Sequence, residues 1–287
     1  MKRVSSILPW WSKIGAKILL SRLPFGYSLW QKIGFFRHGA MDTSAYAIGV
    51  FDAHVAKAGL SGKLAGKRIL ELGPGDSIAT AIIAAAHGAQ AVLVDAGAFV
   101  RSDVAPYLEV ARVHREKFGS TLPEITSGDR IDSILSRCGA EYHTRGLASL
   151  REIKSGSIDL IFSQAVLEHI RRHEFLETMK ECRRILKPGG IATHQVDLRD
   201  HLGGALNHLR FTEKTWESDL FTGSGFYTNR IQYSQMLELC TQAGFTVVEA
   251  PAKRWAALPT PKRKLVPEFS ALSDEELGVS VFDVVLR

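Results

Sequence analysis

The stretch Ile69-Leu70-Glu71-Leu72-Gly73-Pro74-Gly75-Asp76-Ser77 decides how the rest of the chain is read. An apolar run fit for a buried strand ends in a glycine-rich turn, and an Ala-rich helical segment follows at about 77–87. A turn of this kind between a parallel strand and a helix removes side chains where a ligand must approach the backbone. It also points the free N–H groups of the helix start at that ligand. Two familiar phosphate cradles do not fit. A dinucleotide turn needs a third glycine where this chain has Ile78, and a P-loop needs Gly-Lys-Ser/Thr, which is absent. Glu71, just before the turn, sits poorly beside a diphosphate and well beside an ammonium or sulfonium cation.

Nineteen residues past Asp76 comes Asp95, closing the strand-like run Ala91–Asp95. A carboxylate there can accept the two ribose hydroxyls of a nucleoside held against the first turn. Together the two features predict an adenosyl ligand without a pyrophosphate. From Lys67 onward the pattern alternates: strands are expected at Arg68–Leu72, Ala91–Asp95, Glu141–Thr144, Ile158–Ser163 and Gly190–Val196. Helical segments are expected at about 77–87, 103–117, 129–138 and 166–186. Such alternation builds a doubly wound α/β parallel sheet covered on both faces. A further helix at about 231–243 and strands Phe245–Glu249 and Val279–Leu286 bring the count to seven strands. The stretch 251–278, with its Lys262-Arg263-Lys264 run, reads as a surface excursion.

The chain has 287 residues and a formal charge of +6, from 36 Lys and Arg against 30 Asp and Glu. Residues 1–41 hold seven of the basic side chains and no acidic one, so the remainder is nearly neutral and offers no broad polyanion-binding surface. Nucleic acid is therefore not expected as a partner. The same 41 residues interleave Trp10, Trp11, Trp30, Phe25, Phe35 and Phe36 with these cations. They read as a basic aromatic arm ahead of a single domain at 42–287. The arm either packs as a helical lid on the domain or, through residues 1–37, lies on an anionic membrane surface. Cys138, Cys182 and Cys240 are odd in number and widely spaced, which fits a reducing, cytoplasmic compartment, and no run reads as a transmembrane span.

At this point the chain resembles the class I S-adenosylmethionine-dependent methyltransferases of the small-molecule kind. The resemblance rests on Glu71-Leu72-Gly73-Pro74-Gly75 and Asp95, on Ser157–Ser163 running into Val166-Leu167-Glu168-His169-Ile170, and on Leu186-Lys187-Pro188-Gly189-Gly190. It implies a Rossmann-like, mostly parallel sheet whose last strand is antiparallel, and S-adenosylmethionine as cofactor. It also implies that Glu71 and the Gly73-Pro74-Gly75 turn line the aminocarboxypropyl end and that Asp95 takes the ribose. Ala96, Gly146 and Leu147 would border the adenine, with Ser163 and Gln164 beside the methionine moiety and His169 near the methyl group. Base N-methylation is disfavoured, because Ser163-Gln164-Ala165-Val166 stands where nucleic-acid amino methyltransferases carry Asn/Asp-Pro-Pro-Tyr/Phe.

Methyl transfer to a sugar or aliphatic hydroxyl requires a general base, whereas a thiolate or an amine already in its neutral form does without one. The segment after the fifth strand, His194 through His201, supplies candidates: His194 or Asp197 first, His201 as reserve. The spacing of His194, Asp197, Asp200 and His201 is no recognised ligand signature, so no metal is expected. An insertion at about 197–230 is the expected acceptor pocket, with Arg199, Tyr227, Asn229 and Arg230 offering cations, stacking and amide hydrogen bonds. The reading is O-methylation of a small molecule or saccharide. Its alternatives are a peripheral-membrane methyltransferase acting on a lipid, quinone or lipid-linked glycan, and a cofactor-binding scaffold without catalysis. Oligomeric state is not legible.

Overall fold

The computed structural model describes residues 10–20, 43–118, 122 and 124–287. Expectations for the remainder of the basic arm, 1–9 and 21–41, lie outside the described residues. Helix α1 spans Trp10–Leu20 and α2 spans Ser44–Lys57. The alternating body then runs β1 (Arg68–Leu72), α3 (Ala79–Ala86), β2 (Gln90–Val94), α4 (Ala105–Phe118), α5 (Ile131–Arg137), β3 (Glu141–His143), α6 (Leu147–Glu152), β4 (Ile158–Gln164), α7 (Phe175–Ile185) and β5 (Leu186–Asp197). After several single turns come α8 (Tyr233–Gln242), β6 (Val247–Glu249), β7 (Ala252–Arg254) and β8 (Val279–Leu286).

The sheet has the order β3-β2-β1-β4-β5-β8-β6, with β7 also paired to β8. Strands β1 to β5 are parallel and β8 runs antiparallel to β5. The central strands are buried over nearly their whole length, as continuous apolar runs must be when helices cover both faces. On one face α2, α3 and α4 pack a core around Phe51, Ile82, Tyr107 and Phe162. On the other, α6, α7 and α8 pack around Leu150, Phe175, Met179, Ile161 and Cys240. The reversal of strand order between β1 and β4 opens a crevice above their C-terminal ends, where ligands bind in sheets of this type.

Three sequence expectations are refined. The described residues form eight strands, because Ala252–Arg254 continues the edge begun by β6 along β8 after the interruption at Ala250-Pro251, where Pro251 O accepts from Asp283 N–H at 3.0 Å. The helix expected over 166–186 is two pieces, a 3-10 turn at Leu167–His169 and then α7. The break follows from Ala165, whose φ of 54° turns the chain sharply out of β4. A left-handed alanine costs about 1 kcal/mol, so tertiary contacts must hold it. Finally, β5 begins at Leu186 rather than at the expected Gly190, and its first part is set off by a register shift between Ile158 and Leu160.

The insertion after β5 builds its own small core of Leu202, Trp216, Phe221, Phe226 and Tyr227. Ile14 of α1 is buried in that core, and Trp10 lies edge-on to Phe211 with its centroid 6.3 Å away and under the Arg210 guanidinium. No described helix is long and apolar enough to cross a membrane.

Candidate active site

The first half of the site is built largely from backbone. Gly73 and Gly75 have φ of 66° and 65°, and Gly73 N–H donates to Val94 O at 2.8 Å, tying the turn to β2. A Cβ on Gly73 would come within 2.6 Å of Val166 Cγ2, so both conformation and space require glycine there. Glu71 is buried, and its Oε2 has no partner among the described residues. Burial pushes its carboxyl up to about 8, against a small downward pull from the Thr80 hydroxyl. A buried carboxyl with one oxygen unmet fits a cationic ligand.

Asp95 follows β2 directly. Its Oδ2 accepts from Gly75 N–H at 2.9 Å and its Oδ1 from Ala96 N–H at 2.7 Å, and burial raises its pKa while these two bonds oppose the shift. Gly146, at φ 51°, donates to Asp95 O at 2.8 Å, and a Cβ there would lie 3.6 Å from Ala96 Cα. Leu147 begins α6. The structure therefore gathers Glu71, the Gly73-Pro74-Gly75 turn, Asp95, Ala96, Gly146 and Leu147 at one end of the sheet.

The second half is built from side chains. His194 faces Ser163 across the β4–β5 pairing, with Nδ1 to Oγ at 2.7 Å, and neither residue is exposed. Burial, aided by His54, presses the His194 pKa down to about 3. An imidazole so placed takes no proton near neutrality, which removes His194 from the general-base role expected of it. Gln164 lies on the opposite face, where neutral His54 of α2 donates from Nε2 to its Oε1 at 3.1 Å and meets Thr193 Oγ1 at 2.9 Å through Nδ1. Burial lowers the His54 pKa to about 4. Nothing in the sequence of 44–57 signalled this histidine. A shallow cavity of about 270 Å³ lined by Tyr46, Gly49, Ala53, Lys57, Gln164 and Gln195 adjoins it.

Asp197 ends β5 and is held by both guanidinium nitrogens of Arg199, at 2.8 and 2.7 Å. Its N–H donates to Oε1 of Glu168 at 3.2 Å. Glu168, which sequence reasoning did not single out as a site residue, is 1% exposed, and burial lifts its carboxyl to about 8. The His169 and His201 rings stand 4.8 Å apart by centroid, and each presents a ligand-type atom within 4.8 Å of one on Glu168. These residues meet at the mouth beside the glycine turn, because Val166, which packs on Gly73, directly precedes the Leu167–His169 turn.

The expected acceptor contacts at Tyr227, Asn229 and Arg230 are placed differently. All three are buried. The Tyr227 hydroxyl is bonded to Glu217, and the Arg230 guanidinium lies over Trp216 and Phe269 and donates to Phe211 O at 2.6 Å. Asn229 donates from Nδ2 to Leu167 O and Ile170 O at 2.8 and 2.9 Å, and from its backbone to Glu168 O at 2.7 Å. Tyr227, through its carbonyl, and Asn229 brace the turn that carries Glu168 and His169, whereas Arg230 packs on the insertion core with its Nε without a partner among the described residues.

A doubly wound sheet with a Gly-Pro-Gly first turn, a buried acid before it and a carboxylate after the second strand is the arrangement from which the sequence predicts an adenosyl ligand. The sequence profile of the methyltransferase domain family matches residues 46–250, and the chain belongs to that family. It is a class I S-adenosylmethionine-dependent methyltransferase. None of the curated proteins compared with it matches.

Among solved structures, the chain is similar to an S-adenosylmethionine-dependent methyltransferase from Mesorhizobium loti, with 16% identity and a TM-score of 0.43 over 78% of this chain and 92% of that one. It is also similar to Haemonchus contortus phosphoethanolamine N-methyltransferase 2 in complex with S-adenosylmethionine, with 17% identity and a TM-score of 0.42 over 77% and 48%. A third is an arsenic(III) S-adenosylmethionine methyltransferase from Chlamydomonas reinhardtii, with 17% identity and a TM-score of 0.41 over 78% and 64%.

Proposed function

We propose that this chain transfers the methyl group of S-adenosylmethionine to a hydroxyl of a small molecule or saccharide. Glu71 and the Gly73-Pro74-Gly75 turn receive the aminocarboxypropyl end. Asp95 takes the ribose hydroxyls, Ala96, Gly146 and Leu147 border the adenine, and Ser163 and Gln164 hold the floor beside the sulfonium. The bound cofactor supplies a methyl group already activated by the positive sulfur. The protein's work is to align the acceptor in line with that bond and to remove its proton.

The observation that carries the hydroxyl reading is the group of Glu168, His169, Asp197 and His201 at the ends of β4 and β5. An amine already in its neutral form would need no such assembly. As the acceptor O–H bond breaks its proton leaves to this group, the O–C bond forms, and the C–S bond breaks with its electron pair staying on sulfur. His194 keeps a positioning role, holding Ser163. The packing of α1 into the insertion core favours a cover over the acceptor side rather than an arm free to lie on a membrane.

The test is a screen of sugars and small alcohols, alongside amines, for a mass gain of one methylene unit with S-adenosylmethionine. Asp197→Asn and His201→Ala are expected to lower turnover by about 10²–10⁴-fold while cofactor binding by calorimetry is kept. Methylation of amines alone, or unchanged turnover in both variants, would refute the reading.

A further inference from the structure

We propose that Glu168, His169 and His201 form a binding site for one divalent transition-metal cation on the acceptor side of the cofactor turn. The role of that cation, though not its binding, rests on the hydroxyl reading above. The three residues come from a 3-10 turn and from the loop after β5, so their spacing along the chain carried no ligand signature, and only the fold brings them together.

Four observations carry the inference. The first is proximity, since one ligand-type atom from each of the three lies within 4.8 Å of the others. Bonds of about 2.0–2.2 Å to a metal place neighbouring ligand atoms roughly 3–3.5 Å apart. Small side-chain rotations close that difference. The second is Glu168 itself, 1% exposed, with Oε1 accepting from Asp197 N–H and Oε2 without a partner among the described residues. A buried carboxyl oxygen left unmet is costly, and a cation is what satisfies it.

The third observation is the tautomer of His169. Its Nδ1 lies 2.8 Å from Tyr227 O, and a carbonyl can only accept, so Nδ1 carries a proton and Nε2 is the ring nitrogen that can serve as a ligand in the neutral form. An imidazole whose second nitrogen donates to a backbone carbonyl is the arrangement that orients metal-binding histidines. The fourth is the rigidity of the turn. Asn229 bonds the carbonyls of Leu167, Glu168 and Ile170, and His169 N–H donates to Val166 O at 2.8 Å. Arg199, a cation close enough to compete for the site, is engaged with Asp197.

Two imidazoles with one carboxylate suit zinc, cobalt, iron or manganese and suit magnesium poorly, since magnesium prefers an all-oxygen shell. Three protein ligands leave a position open, which an acceptor hydroxyl can fill. A cation held there would make such a hydroxyl more acidic, as it does bound water, and the Asp197 carboxylate, which is not one of the three ligands, would take the proton. The oxygen then attacks the methyl carbon, and the C–S pair stays on sulfur.

The experiment uses the full chain, stripped with a chelator, dialysed and titrated with Zn²⁺ by calorimetry, with Mg²⁺ titrated in parallel. One Zn²⁺ per chain is expected, with affinity reduced at least about tenfold in Glu168→Gln and in His201→Ala. A His173→Ala control on the nearby surface should match the wild type, and Mg²⁺ should bind far more weakly. Binding of S-adenosylmethionine by each variant verifies that it is folded, and Glu168→Gln preserves the shape of the side chain. Absence of stoichiometric Zn²⁺ binding by folded wild type, or equal affinity in both variants, overturns the proposal. If Zn²⁺ binds as expected while only amines accept the methyl group, the site stands and the hydroxyl reading falls.

Discussion

The two halves of the crevice are made differently. Above β1 and β2, Glu71, the glycine turn, Asp95 and Ala96 lie within one short stretch, and the bonds joining them run mainly through backbone N–H groups of Gly73, Gly75 and Ala96. Above β4 and β5, the working side chains come from α2, β4, the Leu167–His169 turn, β5 and the loop after it, braced by Tyr227 and Asn229 from far along the chain. A site made of backbone admits few residue types, so its letters are specific. Where side chains meet only in three dimensions, no local pattern has to be kept.

Gly73 is where the halves touch, so it offers the sharpest way to break the distinction. Gly73→Ala adds a Cβ 2.6 Å from Val166 Cγ2 at a φ of 66°. The expected loss is about 2–4 kcal/mol of stability from overpacking and backbone strain, read from denaturant unfolding. Both cofactor binding and turnover should fall with it. A variant of wild-type stability would mean that the two halves are not coupled through this contact.

Asp95→Ala acts on one half alone. It removes the carboxylate proposed to take the ribose and the anchor of Gly75 N–H, and calorimetric affinity for S-adenosylmethionine should drop by about 100-fold, the size of a lost charge-assisted hydrogen-bond pair. Zn²⁺ binding at the other half should be unchanged. If it changes too, the two halves form one cooperative unit.

The smallest effect is a pH dependence to which both halves contribute. Burial lowers His54 to about 4 and His194 and His208 to about 3, each from 6.5. As pH falls below 6.5 the unfolded chain takes up these protons first, so stability declines. Glu71 and Glu168 are raised by burial from 4.5 to about 8, and over that interval the folded chain holds the extra protons, so stability declines as pH rises. Three histidines outweigh two acids below 6.5, and the acids act alone above it. The melting temperature of the ligand-free chain is therefore expected to peak near pH 6.5, with the alkaline decline reduced by S-adenosylmethionine. A melting temperature still rising to pH 8 would show that Glu71 and Glu168 ionise normally.

Much of the cofactor half was readable in advance. β1 and β8 fall on the expected residues, β2 and β3 to within a residue at their ends, and Asp95 directly follows β2 and is bonded to the glycine turn. The acceptor half was readable only as a neighbourhood. His194 carries the right chemistry but points into the core, because alternation along β5 sends its side chain to Ser163. Tyr227, Asn229 and Arg230 look like an acceptor pocket as letters, but their bonds run to the Glu217 carboxylate, to main-chain carbonyls and to buried rings. Glu168 was read only as part of a family motif. Its significance comes from burial and an unmet oxygen, neither of which a sequence displays.

By itself, then, the sequence determined the doubly wound sheet, its cofactor turn and the class of chemistry, because strand alternation, glycine conformation and a carboxylate at a strand end are local constraints that the chain must satisfy in place. Only the tertiary structure decided which imidazoles are buried in the core, and that Glu168, His169 and His201 converge. Those outcomes depend on burial and on contacts between distant segments, and no spacing along the chain encodes them.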